Sequence, residues 1–390
     1  MKILFVSFGI LPSQGGAGQV AESLASGFTK DEMCVVGEQV IFLGRIKRAA
    51  HLPNYYYVRS NLSYKGKGKR FLNYIRWLVL FPYLLWKMQR VFKKEKCDYV
   101  LGTFPDNFYL FAAYLIAKWN KVGFSSYFHN TYLENRRRGL TYSTAKFIQP
   151  RVFACSDWIF VMSEGMQRRY EQIYPEYKDK FLPLLHTFES YPTRLEKDLS
   201  VKKDRYDLVL IGNFNASNVE ATGRLVRALG KDPRYRIKMF THVPKILLKS
   251  RGIDIDLIDY RGYVRQEDFY KALMDNDICI LTHGFTGAYS PTEYETIFPT
   301  RTIPLLISGL PIFAHSPAGS FLNYFIKKYD CAELVEDADE EMIRTKMAAL
   351  IDNPDRKSEL VMNALKAAEI FYVPNVVSFL KKKLSEKMQA

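Results

Sequence analysis

Cysteine is scarce in this 390-residue chain, and none of its five cysteines stands in a metal-binding or redox spacing. They are single residues without a C-x-x-C motif or a His-rich partner: Cys34, Cys97, Cys155, Cys279 and Cys331. Their isolation argues against a disulfide framework and against structural zinc. The sequence therefore predicts a reducing, cytoplasmic environment.

Long apolar runs are also missing. The uninterrupted run WLVLFPYLLW covers only residues 77–86, about half of the ~20 residues that a membrane-spanning helix needs, and it contains Pro82. The N-terminal stretch MKILFVSFGILPSQGG lacks a small-x-small cleavage site. We therefore interpret it as a buried first strand rather than a signal peptide.

Acidic residues are outnumbered, because 56 Lys and Arg face 41 Asp and Glu and give a formal charge of +15. Such an excess favours a polyanionic partner: nucleic acid, anionic lipid or a phosphorylated substrate. No helix-turn-helix, RNP-like or zinc-finger pattern accompanies the charge, so we predict no nucleic-acid partner.

Residues 65–96 concentrate the positive charge, with ten Lys and Arg and one acidic residue. Aromatic and aliphatic residues flanked by cations suit a segment that rests on an anionic lipid surface. The same pattern fits a long core helix with a solvated basic face, and the sequence leaves both interpretations open.

Short apolar runs alternate with helical patterns in both halves of the chain. KILFVSF, DYVLGTF, GFSSYFHN and DWIFVMS are predicted strands of the first half, and YDLVLIGNF, YRIKMFTH and DICILTH of the second. This alternation indicates βαβ units around parallel sheets. The polar stretch of residues 186–205 predicts a linker, because it has no periodic apolar face.

These features predict an α/β protein with two doubly wound, Rossmann-like domains that face a central cleft. The first domain spans residues 1–190 and the second spans residues 191–370. Residues 371–390 are predicted to form a C-terminal helix that packs back toward the first domain.

The stretch SFGILPSQGGAGQVAESLA, residues 7–25, contains a match to the G-x-G-x-x-G/A pattern of dinucleotide sites. In that fold the first glycine follows the first strand almost directly. Here about seven residues separate the strand from Gly16, and Glu38, near the spacing of a ribose-binding acid, lies inside an apolar run. The loop therefore departs from a tight dinucleotide-binding turn. A purely structural role, as the loop that leads into the following helix, is an alternative interpretation.

A second constellation occupies residues 289–320, YSPTEYETIFPTRTIPLLISGLPIFAHSPAGS. A polar loop with two carboxylates leads through Phe298 and Thr300 to Arg301, and a short apolar helix, a strand and a small-residue turn follow. Unpaired backbone N–H groups at the helix start, together with the Arg301 cation, predict a diphosphate site.

The segment TIFPTRTIPLLISGLPIFA resembles the donor site of the GT-B nucleotide-sugar glycosyltransferases, family four in particular. FGILPSQGGAGQVAESLA is similar to the family's first glycine loop, and YFHNT to the segment that carries an N-domain histidine. LVLIGNFNASNVEA resembles the first strand and phosphate-side loop of the C-terminal domain. DYRGYVRQEDFYKALMDNDICILT is similar to the run that lines the nucleobase pocket. Their order and spacing carry a resemblance that extends over most of the chain.

The resemblance implies a retaining transferase that uses a nucleotide diphosphate sugar as donor and needs neither a divalent ion nor another cofactor. With the residue patterns, it assigns catalytic roles to His129, Arg301, Glu293 and Glu295. It assigns donor contacts to ten further residues: Gly15, Gly16, Gly18, Gly212, Asn213, Tyr263, Phe298, Thr300, Gly319 and Ser320. No D-x-D flanked by strands is present, and no metal ligand is predicted. A surface role for Arg301, a core role for His129 and an ordinary loop role for the two carboxylates are the alternatives.

Several positions depart from the family pattern. Arg301 replaces the common Lys and keeps the charge as a planar fork. Pro304 stands where the family has a ribose-binding Glu, Thr296 where it has the earlier Glu of the pair, and Asn213 where it has a basic residue. The ribose and phosphate contacts must therefore be rearranged, or the donor site is impaired.

We predict a glycosyltransferase that moves a sugar to a saccharide or polyprenyl-linked saccharide in cell-surface polysaccharide biosynthesis. Residues 65–96 are predicted to bind it peripherally to the inner face of the plasma membrane. Three alternatives stay open: a catalytically silent GT-B protein that binds a saccharide or a partner, a nucleotide-sugar epimerase, and an NAD(P)-dependent oxidoreductase. Pro304 favours the first, and the long loop before Gly16 counts against the third.

Overall fold

The computed structural model describes residues 1–11, 16–38, 47–58, 70–136, 138–188, 197–264, 268–287 and 289–388. The chain divides into two compact units, Met1–Glu189 with Phe371–Ala390, and Ser190–Ile370. The sequence analysis placed the corresponding boundaries after residues 190 and 370. Residues 189–196 of the predicted linker lie outside the described residues.

The first unit is built on alternating strands and helices. In chain order they are β1 Ile3–Val6, α1 Gly16–Ser26, β2 Met33–Glu38, β3 Asn54–Val58, α2 Arg70–Glu95, β4 Tyr99–Phe104, α3 Asn107–Asn120, β5 Gly123–Phe128, α4 Leu140–Cys155, β6 Ile159–Val161, α5 Glu164–Ile173 and β7 Phe181–Pro183. The strands form one parallel sheet in the order β3-β2-β1-β4-β5-β6-β7. β1 and β4 are buried along their whole length, as expected for central strands with helices on both faces.

The second unit repeats this plan. Its elements are β8 Tyr206–Ile211, α6 Val219–Leu229, β9 Tyr235–Phe240, α7 Lys245–Ser250, β10 Asp259–Gly262, α8 Phe269–Met274, β11 Ile278–Thr282, α9 Pro291–Thr296, α10 Thr302–Leu306, β12 Ile312–His315, α11 Phe321–Tyr329, β13 Glu333–Val335, α12 Glu340–Ile351 and α13 Pro354–Ala368. The parallel sheet has the order β10-β9-β8-β11-β12-β13. The predicted doubly wound α/β class is confirmed in each unit.

The C-terminal helix α14, Val373–Met388, belongs to the first unit. Its buried side chains recur every three or four residues and join the core beside β1 and α1: Val373, Val376, Val377, Leu380 and Leu384. Gly27, just beyond α1, permits this packing, because a Cβ at Gly27 would lie 2.5 Å from a methyl carbon of Val377. A backbone bridge between Phe188 and Tyr372 joins the segments that precede and follow the second unit in sequence.

The helix α2 buries one stripe and exposes another. Its buried side chains include Leu84, Met88, Val91 and Phe92, spaced as on one helix face. A second apolar stripe stays exposed: Ile75, Leu78, Val79, Tyr83 and Trp86. Within the part of the chain that the structure describes, no helix is long and apolar enough to cross a membrane.

We expect Leu380→Ala to destabilise the first unit by about 2–5 kcal/mol, because it leaves a cavity in a fully buried part of the core. Unfolding in urea can be followed by tryptophan fluorescence, since all four tryptophans precede the second unit: Trp77, Trp86, Trp119 and Trp158. Lys382→Ala, at an exposed position of the same helix, is the matched control. Equal unfolding midpoints for the two variants would contradict a core role for α14.

Candidate functional site

The order of the strands selects one place in the second sheet. From β8 the chain builds outward through β9 to β10, and it then returns to build β11, β12 and β13 on the other side. The loops after β8 and β11 therefore diverge at neighbouring carboxyl ends, and ligands of doubly wound sheets bind at this kind of switch point. The residues around these two loops form the candidate site.

The loop after β8 begins with a backbone conformation that requires glycine. Gly212 has φ +119°, and its N–H donates to the Phe240 carbonyl at 3.1 Å. Asn218 braces the following turn, because its side chain accepts from the Asn215 N–H at 3.1 Å and donates to the Asn213 carbonyl at 3.1 Å. The side chain of Asn213 is exposed at the mouth of this braced loop.

Arg301 lies against this loop. A Cβ at Gly212 would be 3.5 Å from Arg301 Cδ and 3.6 Å from Nη1, and Nη2 donates to the Thr282 carbonyl, at the end of β11, at 2.5 Å. Its guanidinium thus lies between the carboxyl ends of β8 and β11. Burial lowers the pKa of Arg301 to about 10.

No carboxylate pairs with Arg301 among the described residues, and its buried Nε has no hydrogen-bond partner. A cation out of water is costly unless an anion or a full set of acceptors compensates it. The switch point therefore carries an uncompensated positive charge that an anionic ligand would neutralise. The alternative of a solvated surface arginine would leave Nε in contact with water, whereas Nε is buried here.

The predicted site residues of the α9–α10 segment lie in different environments. Glu293 is buried, and its backbone N–H donates a hydrogen bond to the Ser290 hydroxyl oxygen at 3.2 Å. Glu295, in contrast, is exposed. The two carboxylates therefore occupy different environments, although the sequence grouped them. Thr300 is exposed and directly precedes Arg301.

Two expectations in this segment need correction. Phe298 is 3% exposed, and its ring packs against Phe321 and Phe325 at centroid distances of 5.9 and 5.0 Å, so the side chain is core rather than a ligand-binding surface. The helix α10 has only five residues. A helix of that length has almost no aligned dipole, so its start offers little of the positive potential that the sequence analysis expected there.

The turn after β12 places Gly319 and Ser320 at the start of α11. Ser320 is buried and its hydroxyl caps the helix by accepting from the Asn323 N–H at 3.1 Å, while Ser316 Oγ lies 2.7 Å from Ser320 Oγ. Gly319 is exposed, with no atom within 4 Å of an added Cβ. Tyr263, just after β10, is 63% exposed, so its ring is available to a ligand.

Sequence reasoning missed His283, which follows β11. Its Nε2 lies 2.8 Å from the Tyr294 carbonyl and ties the strand end to α9. Tyr294 in turn donates its hydroxyl to the Ala216 carbonyl of the β8 loop at 2.6 Å. His283 is the last residue of the predicted strand DICILTH, and this position was a signal that could have identified it.

In the first unit, the glycine loop is only partly described. Gly15 lies outside the described residues, Gly16 is the first residue of α1, and Gly18 is buried in that helix. β1 ends at Val6, so the strand and the helix are well separated, as the sequence predicted.

His129 directly follows β5 and is buried. A second histidine, His186, lies beside it with the ring centroids 5.7 Å apart. His186 was not predicted as a site residue. It follows β7, a strand of only three residues, whose brevity weakened the sequence signal.

The fold is that of known nucleotide-sugar enzymes. HepE from Anabaena, solved in complex with UDP, matches with a TM-score of 0.69 and 13% identity over 99% of this chain and 100% of that chain. Sucrose-phosphate synthase from Thermosynechococcus elongatus matches with a TM-score of 0.68 and 13% identity over 99% of this chain and 98% of that chain. A protein assigned as a UDP-N-acetylglucosamine 2-epimerase from Listeria monocytogenes matches with a TM-score of 0.57 and 11% identity over 99% of this chain and 96% of that chain.

No protein-family model and no curated protein sequence matches the chain. The structural similarities confirm the predicted GT-B fold. At 11–13% identity they establish the fold and leave the activity to the site itself. The narrower assignment to family four stays a prediction.

We expect Gly212→Ala to destabilise the second unit by about 1–3 kcal/mol, because alanine at this positive φ is strained. Hydrogen–deuterium exchange of peptides covering β8 and β9 measures the loss. Gly319→Ala, which meets open space, should change the exchange of the same peptides little. Unchanged protection in Gly212→Ala would show that the backbone at residue 212 does not need its left-handed conformation.

Proposed function

We propose that this protein is a glycosyltransferase that uses a nucleotide diphosphate sugar as donor and binds the diphosphate at Arg301. The observation that carries the proposal is the partly buried Arg301 side chain between the ends of β8 and β11, whose buried Nε has no hydrogen-bond partner and which pairs with no carboxylate among the described residues. Its fork of N–H donors matches two phosphate oxygens at once.

The role proposed for this charge is to stabilise the leaving diphosphate. When the bond between sugar and diphosphate breaks, negative charge grows on the leaving phosphate, and a fixed cation stabilises it without rearranging. The glycine backbone at residue 212 allows a close approach beside the guanidinium, because no side chain projects there. Asn213 and Thr300, both exposed next to this position, are proposed to donate hydrogen bonds to the same phosphates.

The acceptor is proposed to be a saccharide or a lipid-linked saccharide of cell-surface polysaccharide synthesis. Transfer is proposed to proceed with retention and without a divalent ion, as the family resemblance implies. The Arg301 cation supports the second point, since it supplies positive charge at the leaving group. Transfer that survives EDTA would agree with it.

A nucleotide-sugar epimerase is the second candidate, and the similarity to the Listeria protein favours it. Both activities need the nucleotide site, so binding does not separate them. Proton NMR of a reaction with UDP-N-acetylglucosamine separates the two activities. An epimerase conserves the total amount of UDP-sugar, whereas a transferase releases UDP, either by sugar transfer or by slow hydrolysis of the UDP-sugar.

The catalytically silent alternative rests on Pro304, whose side chain has no polar group to bind a ribose hydroxyl. A silent protein that keeps the nucleotide site would bind UDP without consuming any UDP-sugar. Binding together with turnover therefore separates all three candidates.

We expect one nucleoside diphosphate among UDP, GDP and ADP to raise the melting temperature, while CMP, NAD and NADP do not. A ligand at a hundredfold excess over its Kd stabilises the native state by about 2.7 kcal/mol. Arg301→Met should abolish this shift and leave the ligand-free protein at least as stable as wild type, because it removes an uncompensated buried charge.

Arg344→Met is the matched control, because Arg344 is exposed on α12 of the same unit and pairs with Glu341. It should keep the full nucleotide shift. A shift with NAD or NADP alone, or a nucleoside diphosphate shift that survives in Arg301→Met, would overturn the proposed site.

We also propose that the exposed stripe of α2 rests on an anionic membrane surface. Leu78 and Val79 are 68% and 70% exposed, and Trp86 is 52% exposed. Cations flank the aromatic end of the stripe, with Lys87 Nζ 5.4 Å and the Arg90 guanidinium carbon 5.6 Å from the Trp86 ring centroid. An apolar stripe bordered by cations is complementary to acyl chains beneath negative headgroups.

The double substitution Leu78→Gln with Val79→Gln should weaken binding to phosphatidylglycerol-containing vesicles about tenfold, because two apolar side chains no longer insert. Co-sedimentation measures the partition coefficient. Ile246→Gln, which removes an exposed apolar side chain from α7 of the second unit, is the control and should bind like wild type. Equal binding by all three proteins, or binding to neutral vesicles alone, would contradict the assignment.

A further inference from the structure

Two cysteines that are far apart in the sequence lie side by side in the first unit. The Sγ atoms of Cys34 and Cys97 are 3.5 Å apart, although the residues are 63 positions apart in the chain. Cys34 is fully buried, and Cys97 is 6% exposed. Their proximity is a property of the tertiary structure, so the spacing of cysteines along the sequence could not reveal it.

The backbone holds each cysteine in place from a different element. Cys34 belongs to β2, an internal strand that lies between β1 and β3. Cys97 follows α2 at a turn in which Lys96 has φ +52°, and the Cys97 N–H donates to the Phe92 carbonyl at 3.1 Å. A left-handed residue at the end of a helix reverses the direction of the chain. The two thiols are therefore preorganised next to each other.

The separation of the two sulfur atoms is suited to bond formation. A disulfide has a sulfur–sulfur distance of about 2.05 Å, so each atom needs to move only by about 0.7 Å if both move. As free thiols the two groups gain little from their contact, because S–H is a weak donor and sulfur a weak acceptor. A metal ion would need further ligands, and the described residues contain no group of three or more His, Cys, Asp or Glu side chains.

The two sulfur atoms differ in their readiness to react. The hydrogen bond with Cys97, together with burial, raises the pKa of the Cys34 thiol, so Cys34 keeps its proton. Cys97 lies nearer the surface, between the exposed residues Lys96 and Asp98. A small oxidant is therefore expected to react first at Cys97, and Cys34 is placed to react second.

We propose that Cys34 and Cys97 form an oxidation site at which a peroxide converts the two thiols into a reversible disulfide. The Cys97 thiolate attacks one peroxide oxygen, the O–O bond breaks, and Cys97 becomes a sulfenic acid while hydroxide leaves. The Cys34 sulfur then attacks the Cys97 sulfur. The S–S bond forms as the S–O bond breaks, and the leaving hydroxyl takes the Cys34 proton as water. Together the thiols lose two electrons and two protons, and one hydrogen peroxide becomes two water molecules.

The disulfide would fasten the end of α2 to an internal strand of the sheet. It closes a long loop, because its two cysteines are 63 positions apart, and a crosslink of this kind restricts the unfolded chain. We expect the first unit of the oxidised protein to melt about 10 °C above that of the reduced protein. Tryptophan fluorescence follows this transition, and dithiothreitol should reverse the shift.

The test treats the purified protein with hydrogen peroxide and maps its disulfides by mass spectrometry without reduction. Trypsin places the two cysteines on separate peptides, residues 31–45 and 97–118. We expect these two peptides to appear as one linked species, two hydrogen masses below the sum of the reduced peptides. Dithiothreitol should return them to the separate reduced forms.

Cys34→Ala removes one of the two sulfur atoms, so it should give neither the linked peptides nor the rise in melting temperature. Cys331→Ala is the matched control, because it removes a buried cysteine from the second unit and should leave both results unchanged. The peptide map of the wild-type protein stays decisive if Cys34→Ala fails to fold.

Two results would overturn the inference. The first is that Cys34 and Cys97 both remain thiols under conditions in which peroxide fully oxidises the exposed Cys155. The second is a linkage of Cys97 only to another cysteine or to a second molecule.

Discussion

A charge that is buried without a counter-charge is the feature on which the candidate site depends. The Arg301 guanidinium lies where the loops after β8 and β11 diverge, and this divergence follows from the order in which the strands are added on either side of β8. Gly212 keeps the place beside it free of side-chain atoms. The sheet topology, the left-handed glycine and the hydrogen bond to the Thr282 carbonyl together position a cation that no carboxylate among the described residues neutralises.

The two units place different kinds of polar groups without hydrogen-bond partners at the carboxyl ends of their sheets. The second unit holds a cation, which selects for an anion such as a diphosphate. The first unit holds two neutral imidazoles, His129 and His186, each of which has one donor and one acceptor nitrogen. The physical environment of each group is explained within its own unit.

The sequence predicted the fold well, because strands that are buried on both faces appear as continuous apolar runs such as KILFV and DYVLGTF. His129 could be found because it stands at the end of such a run, and Arg301 because it directly precedes a short apolar helical run. Phe298 could not be assigned correctly, since an aromatic side chain in a loop has no periodicity to show that it packs against α11. His186 was missed because the proximity of β5 and β7 is a property of strand order, which local patterns do not contain. The periodicity of α2 likewise could not choose between a core helix and an interfacial helix, since one face of the helix is buried and another presents exposed apolar side chains.

The contrast between a shared fold and the absence of a matching family model has a physical basis. Core positions accept many apolar residues of suitable volume, so the architecture persists when few identities remain, as the 13% identity over 99% of the chain illustrates. Site positions obey a different constraint, because they must keep a charge or a hydrogen-bonding capacity but not a particular residue. An arginine can supply the charge of a lysine, whereas a proline cannot supply the acceptor atoms of a glutamate. Compared with the family pattern that the sequence resembles, Arg301 keeps the charge of the usual lysine, whereas Pro304 lacks the carboxylate of the usual glutamate.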